Sequence, residues 1–114
     1  MTAKLLIAAT LLLAACTSSA PGTERFTGLY ADGFEMQAFT ADGRGETWWA
    51  HLEPDARAAI DAAKGPGPRV PFGFRIRAEV EGRLSEPGHY GHLGAYPRQL
   101  TITRVISAKL APAP

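Results

Sequence analysis

The residues with the most chemistry in them are three histidines, two adjacent tryptophans and one glycine-rich segment. That segment is Gly88-His89-Tyr90-Gly91-His92-Leu93-Gly94-Ala95-Tyr96-Pro97. Its glycines permit left-handed backbone or close approach of a neighbouring group. His89 and His92 are spaced to converge on one metal ion, with His51 as a third nitrogen. Imidazoles of this kind suit zinc, copper or nickel. No helical pattern fixes the spacing, however, and no cysteine lies nearby. The more economical reading is a compact loop whose His and Tyr side chains bond its own backbone, with no cofactor.

Trp48, Trp49, Tyr90 and Tyr96 supply the aromatic surface of a binding groove. Aromatic faces beside such a loop suit a sugar, a peptide, a small molecule or another protein, because these side chains dominate binding hot spots. The competing use of the same rings is to fill a small core. Trp48 and Trp49 are neighbours, so in a strand they point to opposite faces. One joins the core, and the other must be covered or exposed. Motifs for catalysis are missing: the sequence has no Gly-x-Ser-x-Gly elbow, no phosphate-cradling glycine loop and no His-Glu-x-x-His helix. Glu35 and Glu46 flank the first strands, but two carboxylates without a fixed separation do not make a hydrolase. The expectation is a binding module and not an enzyme.

The start of the chain carries an address. Lys4 gives a positive leader, Leu5 to Ala14 form an apolar stretch, and small residues then lead to Cys16 in Leu13-Ala14-Ala15-Cys16. The apolar stretch is too short to span a bilayer. It resembles the lipobox of bacterial lipoproteins. That resemblance implies a signal peptide over 1–15, cleavage before Cys16, a diacylglycerol thioether on its sulfur and an N-acyl chain such as palmitate on its new amino group. Two or three acyl chains give an anchoring that one cannot. Thr17 follows the cysteine where an aspartate would favour retention, so the resemblance implies the periplasmic face of the outer membrane. Cys16 is the chain's one cysteine. Once lipidated, it leaves the domain no disulfide, thiolate or cysteine metal ligand. The formal net charge of the whole chain is +1, and removing Lys4 with the leader brings it to zero. A neutral domain has no electrostatic pull toward nucleic acid.

These residues need elements to position them. Residues 16–23 read as the lipidated cysteine and a small, polar tether, 24–110 as one domain, and 111–114 (Ala-Pro-Ala-Pro) as a tail. Phe72 to Glu81 is the clearest strand: Phe72, Phe74, Ile76, Ala78 and Val80 alternate with Arg75, Arg77, Glu79 and Glu81. The charged side reads as a solvated face. Phe26 to Tyr30 and Phe34 to Thr40 read as a hairpin turning at Asp32-Gly33, and Glu46 to Leu52 as a third strand. Glu53 to Lys64 is the one good helix, with Pro54 suited to its first position and Gly65 to its end. A last strand runs from Gln99 to about Lys109. Its phase slips at Arg104-Val105-Ile106, which predicts a bulge or bend. Three strands, a helix and two strands match a five-stranded OB-like barrel with the helix between strands three and four. An open antiparallel sheet or small sandwich with one helix is the alternative. In the barrel, the glycine-rich segment falls in a ligand-binding loop.

Across 24–108 the chain also resembles a group of small proteobacterial envelope lipoproteins with an OB-like domain. The likeness rests on Gly28-Leu29-Tyr30, Phe34, Phe39, Trp48-Trp49, Gly82-Arg83-Leu84 and the Gly88 to Arg98 motif. In pattern it is similar to the OB-like domain of the copper- and stress-linked outer-membrane lipoprotein NlpE. Many such relatives carry a cysteine in the turn after the second strand. Here that turn is Thr40-Ala41-Asp42-Gly43, so a possible thiol ligand is missing. The resemblance implies an envelope role for a lipid-anchored domain and no particular reaction.

Overall fold

The computed structural model describes residues 22–66 and 73–112. The leader 1–15, Cys16 and most of the tether lie outside the described residues, as do Phe72 and the last two residues of the tail. No helix among the described residues is long and apolar enough to cross a membrane.

Five strands and one helix follow in the order β1 (Glu24–Gly33), β2 (Met36–Ala41), β3 (Thr47–Leu52), α1 (Pro54–Lys64), β4 (Phe74–Leu84) and β5 (Gln99–Leu110). The strands form a closed barrel in the spatial order β1-β2-β3-β5-β4. All neighbours are antiparallel except β3 and β5, which run parallel from Trp49 opposite Gln99 to Leu52 opposite Ile102. β4 pairs with β1 on one side and with β5 on the other, and this completes the circle. The result is the OB-like barrel with its helix between strands three and four.

Period-two alternation builds the interior. Phe26, Tyr30, Phe39, Trp48, Ala50, Ile76, Ala78, Val80, Leu100 and Ile102 point inward and are buried, joined by Ala56 and Ile60 of α1. Phe26 and Trp48 meet edge to face at 5.3 Å between ring centres. Arg44 stacks over both rings at 5.3 and 5.5 Å. The helix begins after Glu53 with Pro54 in its first turn and stops at Gly65, where φ is 78°. That left-handed conformation is cheap only for glycine.

Three features depart from the sequence-based expectation. The hairpin tip is Phe34-Glu35, because Asp32 and Gly33 remain in the ladder opposite Gln37 and Met36. Asp32 is held inside by the Tyr30 hydroxyl at 2.7 Å, so the chain turns later and Glu35 takes a φ of 55°. The phase slip in β5 is present as two register shifts, opposite Glu79/Val80 and Glu81/Gly82. These shifts bury Glu81, which the alternation assigned to the solvated face. Its carboxylate lies between Arg25 at 3.4 Å and Arg104 at 3.2 Å, so the buried charge is paired. Residues 111 and 112, at the start of the tail, are tied to β4: Ala111 donates to the Arg75 carbonyl at 2.8 Å, and Arg75 donates to the Pro112 carbonyl at 2.9 Å.

Trp48 is 1% exposed and Trp49 half-buried on the outer surface. Truncating Trp48 to alanine is therefore expected to cost about 3–5 kcal/mol in urea denaturation. Trp49→Ala is expected to cost less than half as much.

Candidate functional site

The segment between β4 and β5 is an ordered loop that climbs the outer face of the barrel. Its two arms pair with each other. Ser85 and Gln99 bond at its base, Gly88 donates to Pro97, and Tyr90 and Tyr96 exchange bonds of 3.0 and 3.1 Å. The Tyr90 hydroxyl donates to the Glu86 carbonyl at 2.9 Å, and Arg98 donates to the Ser85 carbonyl at 3.0 Å. A 3-10 turn over His92–Gly94 forms the tip. The expected compact loop is thus present, with Tyr90 bonded to the loop's own backbone.

Trp49 is what the loop sits on. Its indole meets Tyr96 edge-on at 5.4 Å between ring centres. A Cβ added at Gly91 would lie 2.4 Å from the indole ring, and Gly91 has φ of 71°. Glycine is required here twice over, by contact and by backbone conformation. Opposite Trp49 on β2 is Ala38, 4% exposed though it faces away from the barrel interior. The outer face here is a thin second apolar layer.

The loop tip meets the hairpin tip. His92 Nε2 lies 3.4 Å from Glu35 Oε2, both side chains being 41% exposed. Beside this contact stand Phe34 and Leu93, the most exposed large apolar side chains among the described residues at 82% and 87%. Glu35 and Leu93 are also the described non-glycine residues with positive φ, at 55° and 59°. The positive φ at Glu35 belongs to the two-residue hairpin turn and that at Leu93 to the loop tip, so the two turns carry the exposed apolar side chains.

Below the joined tips is a cleft of about 370 Å³ lined by Asp32, Gly33, Glu35, Met36, Gln37, Trp49 and Arg57. It lies where β2 and β3 part. Those strands pair only over Ala38–Trp49, Phe39–Trp48 and Thr40–Thr47. Beyond that point the Gln37 side chain takes over, donating to the Ala50 carbonyl at 2.7 Å. Arg57 of α1 reaches into the gap, with Nη2 3.3 Å from Gln37 Oε1 and Nη1 3.7 Å from Asp32 Oδ2. Asp32 accepts from Tyr30 as well. Burial first, then the hydrogen bond to Asp32, pushes the Tyr30 hydroxyl far above its ordinary pKa of 10.0.

The sequence-selected residues separate into two sets. Trp49, Tyr90, His92 and Tyr96 come together around the loop, and His89 lies on the same loop beside Gly94. Trp48 belongs to the core. His51 is exposed on β3, opposite Thr101. The three histidines do not gather with other ligands, since no group of three or more His, Cys, Asp or Glu side chains able to hold a metal occurs among the described residues. Asp32, Gln37, Met36 and Arg57 were not selected from sequence. Arg57 sits on a helix whose pattern signals only packing, and it meets the strands solely through the fold. No protein-family model, curated protein or solved structure matches the chain.

Two measurements check this geometry. Gly91→Ala is expected to unseat the loop, lowering stability by about 1–3 kcal/mol and shifting Trp49 emission toward the red. Tyr30 keeps its proton in the folded state above the pH at which the unfolded chain releases it. Its contribution is complete below pH 10 and is lost as pH rises toward the folded-state value. Tyr30→Phe is therefore expected to flatten, by one proton, the fall of stability with pH above about 10.

Proposed function

We propose that this chain is a lipid-anchored, non-catalytic binding module of the bacterial envelope, held at the periplasmic face of the outer membrane through Cys16. The observation that carries the binding role is the cleft at the parting of β2 and β3. It is walled by Trp49 and Met36 and opens at a rim where Glu35 of the hairpin tip meets His92 of the glycine-rich loop. A purely structural loop has no need of such a cleft or of exposed Phe34 and Leu93. A network that joins buried Tyr30 and Asp32 to half-buried Arg57 and Gln37 fixes the polar lining before any ligand arrives. Pre-positioned groups lower the ordering cost of binding.

The anchor follows from the lipobox and sets the orientation. β1 starts at Glu24, just after the tether, and ends at Gly33 beside the hairpin tip. A strand of this length spans roughly 33 Å. The candidate site therefore stands at the end of β1 remote from the lipid, where it meets the periplasm.

Cys16→Ser is expected to move the protein from the membrane to the soluble fraction. A photoreactive residue in place of Leu93 in the full chain is expected to give discrete adducts in cells. The same residue at Lys109, at the end of β5, is expected to give none. Equal labelling from both positions would remove the binding role.

A further inference from the structure

We infer that the cleft between β2, β3 and α1 takes an uncharged saccharide, a single pyranose ring or a linked pair. The inference deepens the proposed binding role and rests on it.

Size comes first. The cleft, at about 370 Å³, lies at the small end of ordinary ligand sites. That suits a ring-sized group and excludes a bulky cofactor.

Charge narrows the class further. The lining interleaves both signs: the Asp32 and Glu35 carboxylates and the Arg57 guanidinium. An anionic ligand meets two carboxylates. For a cationic ligand, Asp32 is already taken by Arg57 and Glu35 faces His92, and no metal-holding group of acidic and histidine side chains occurs among the described residues. Nucleic acid would face an acidic lining on a nearly neutral chain. An uncharged ligand needs no counter-charge beyond those that the lining has already committed to one another.

Hydrogen-bonding chemistry then separates polar from apolar ligands. Arg57 carries five N–H donors. Its contacts to Asp32 and Gln37 engage Nη1 and Nη2 and hold the fork still, with donors left over for a ligand. Glu35, on the rim, is a carboxylate acceptor. A wholly apolar ligand would strip water from these groups and return nothing. Ring hydroxyls both donate and accept, so they can face Arg57 and Glu35 together. The C–H faces of the same ring match the Trp49 wall and Met36. The Trp49 indole N–H has no hydrogen-bond partner among the described residues, whereas Trp48 Nε1 donates to Glu46 at 2.9 Å. Trp49 thus brings an aromatic surface and an unspent donor.

A peptide is also neutral and polar along its backbone, but it binds most readily by lengthening a sheet edge. Where β2 and β3 part, the Gln37 side chain already takes the Ala50 carbonyl and Arg57 holds Gln37 in place, so the gap offers a peptide no continuous ladder to join.

The test uses the ¹⁵N-labelled full chain in detergent micelles, titrated with cellobiose, with chitobiose and with N-acetyl-trialanine amide. Binding is followed at the Trp49 indole and Arg57 Nε–H signals. Saturable shifts at both signals with either disaccharide are expected, and none with the peptide. Glu35→Gln, an exposed change that keeps the side chain's shape, is expected to weaken disaccharide binding about tenfold, the loss of one charged hydrogen bond. Trp49→Phe is expected to weaken it by a similar factor. Saturation by the peptide alone would overturn the saccharide class and leave the binding role standing. Silence of both signals toward every probe would also overturn it, while the adducts from position 93 judge the wider role separately. Disaccharide shifts that Glu35→Gln leaves unchanged would place the sugar elsewhere and overturn the assignment of this cleft.

Discussion

The rest of the structure depends on the two-sided pairing of β5. It runs parallel to β3 and antiparallel to β4, and without it the sheet is open between those strands. A parallel neighbour cannot be reached by a tight turn. The chain therefore needs α1 and β4 between β3 and β5, whereas β4 and β5 are antiparallel and the long loop between them is an addition that the topology does not demand. The helix plugs the interior with Ala56 and Ile60. The long connection is free to lie across the outside. The cleft takes Arg57 from the helix and Trp49, on which the glycine-rich loop is pressed, from β3.

The adjacency of Trp48 and Trp49 links the inside of this barrel to its outside. A strand cannot bury both rings on one face. Trp48 completes the core with Phe26, and the indole that is left over becomes the seat of the loop. Gly91 permits that seating because any side chain would occupy the space of the indole. The loop's self-pairing through Tyr90 and Tyr96 keeps its backbone groups satisfied while it crosses the surface. The self-paired loop then delivers His92 to Glu35 and leaves Leu93, like Phe34 on the hairpin tip, in water. Apolar surface of this kind is costly to keep exposed unless it meets something.

Much of the fold was legible in the chain. The alternation in β4, the Pro54 and Gly65 limits of α1 and the phase slip in β5 are local signals with local causes, and each appears where its signal stands. The turn at Phe34-Glu35 was not legible. Asp32-Gly33 is a good turn pair in isolation, but Asp32 is held in the ladder between Gln37 of β2 and Phe74 of β4, with its carboxylate taken by the Tyr30 hydroxyl on the same face and by Arg57 of the helix. Glu81 has the same lesson. Its alternation points outward, but the displaced register of β5 brings Arg104 over it and encloses it.

Sequence by itself determined which residues alternate, where the helix begins and ends, that one tryptophan must leave the core, and that a glycine-rich aromatic loop precedes the last strand. These follow from side-chain period, proline and glycine geometry, all properties of near neighbours. The tertiary structure alone decided which tryptophan stays inside, where β2 and β3 part, and that Arg57 meets Asp32 and Gln37 in that gap. Those residues are 25 and 20 positions from Arg57 in the chain. Contacts of that span exist only once the barrel closes, so no local pattern can announce them.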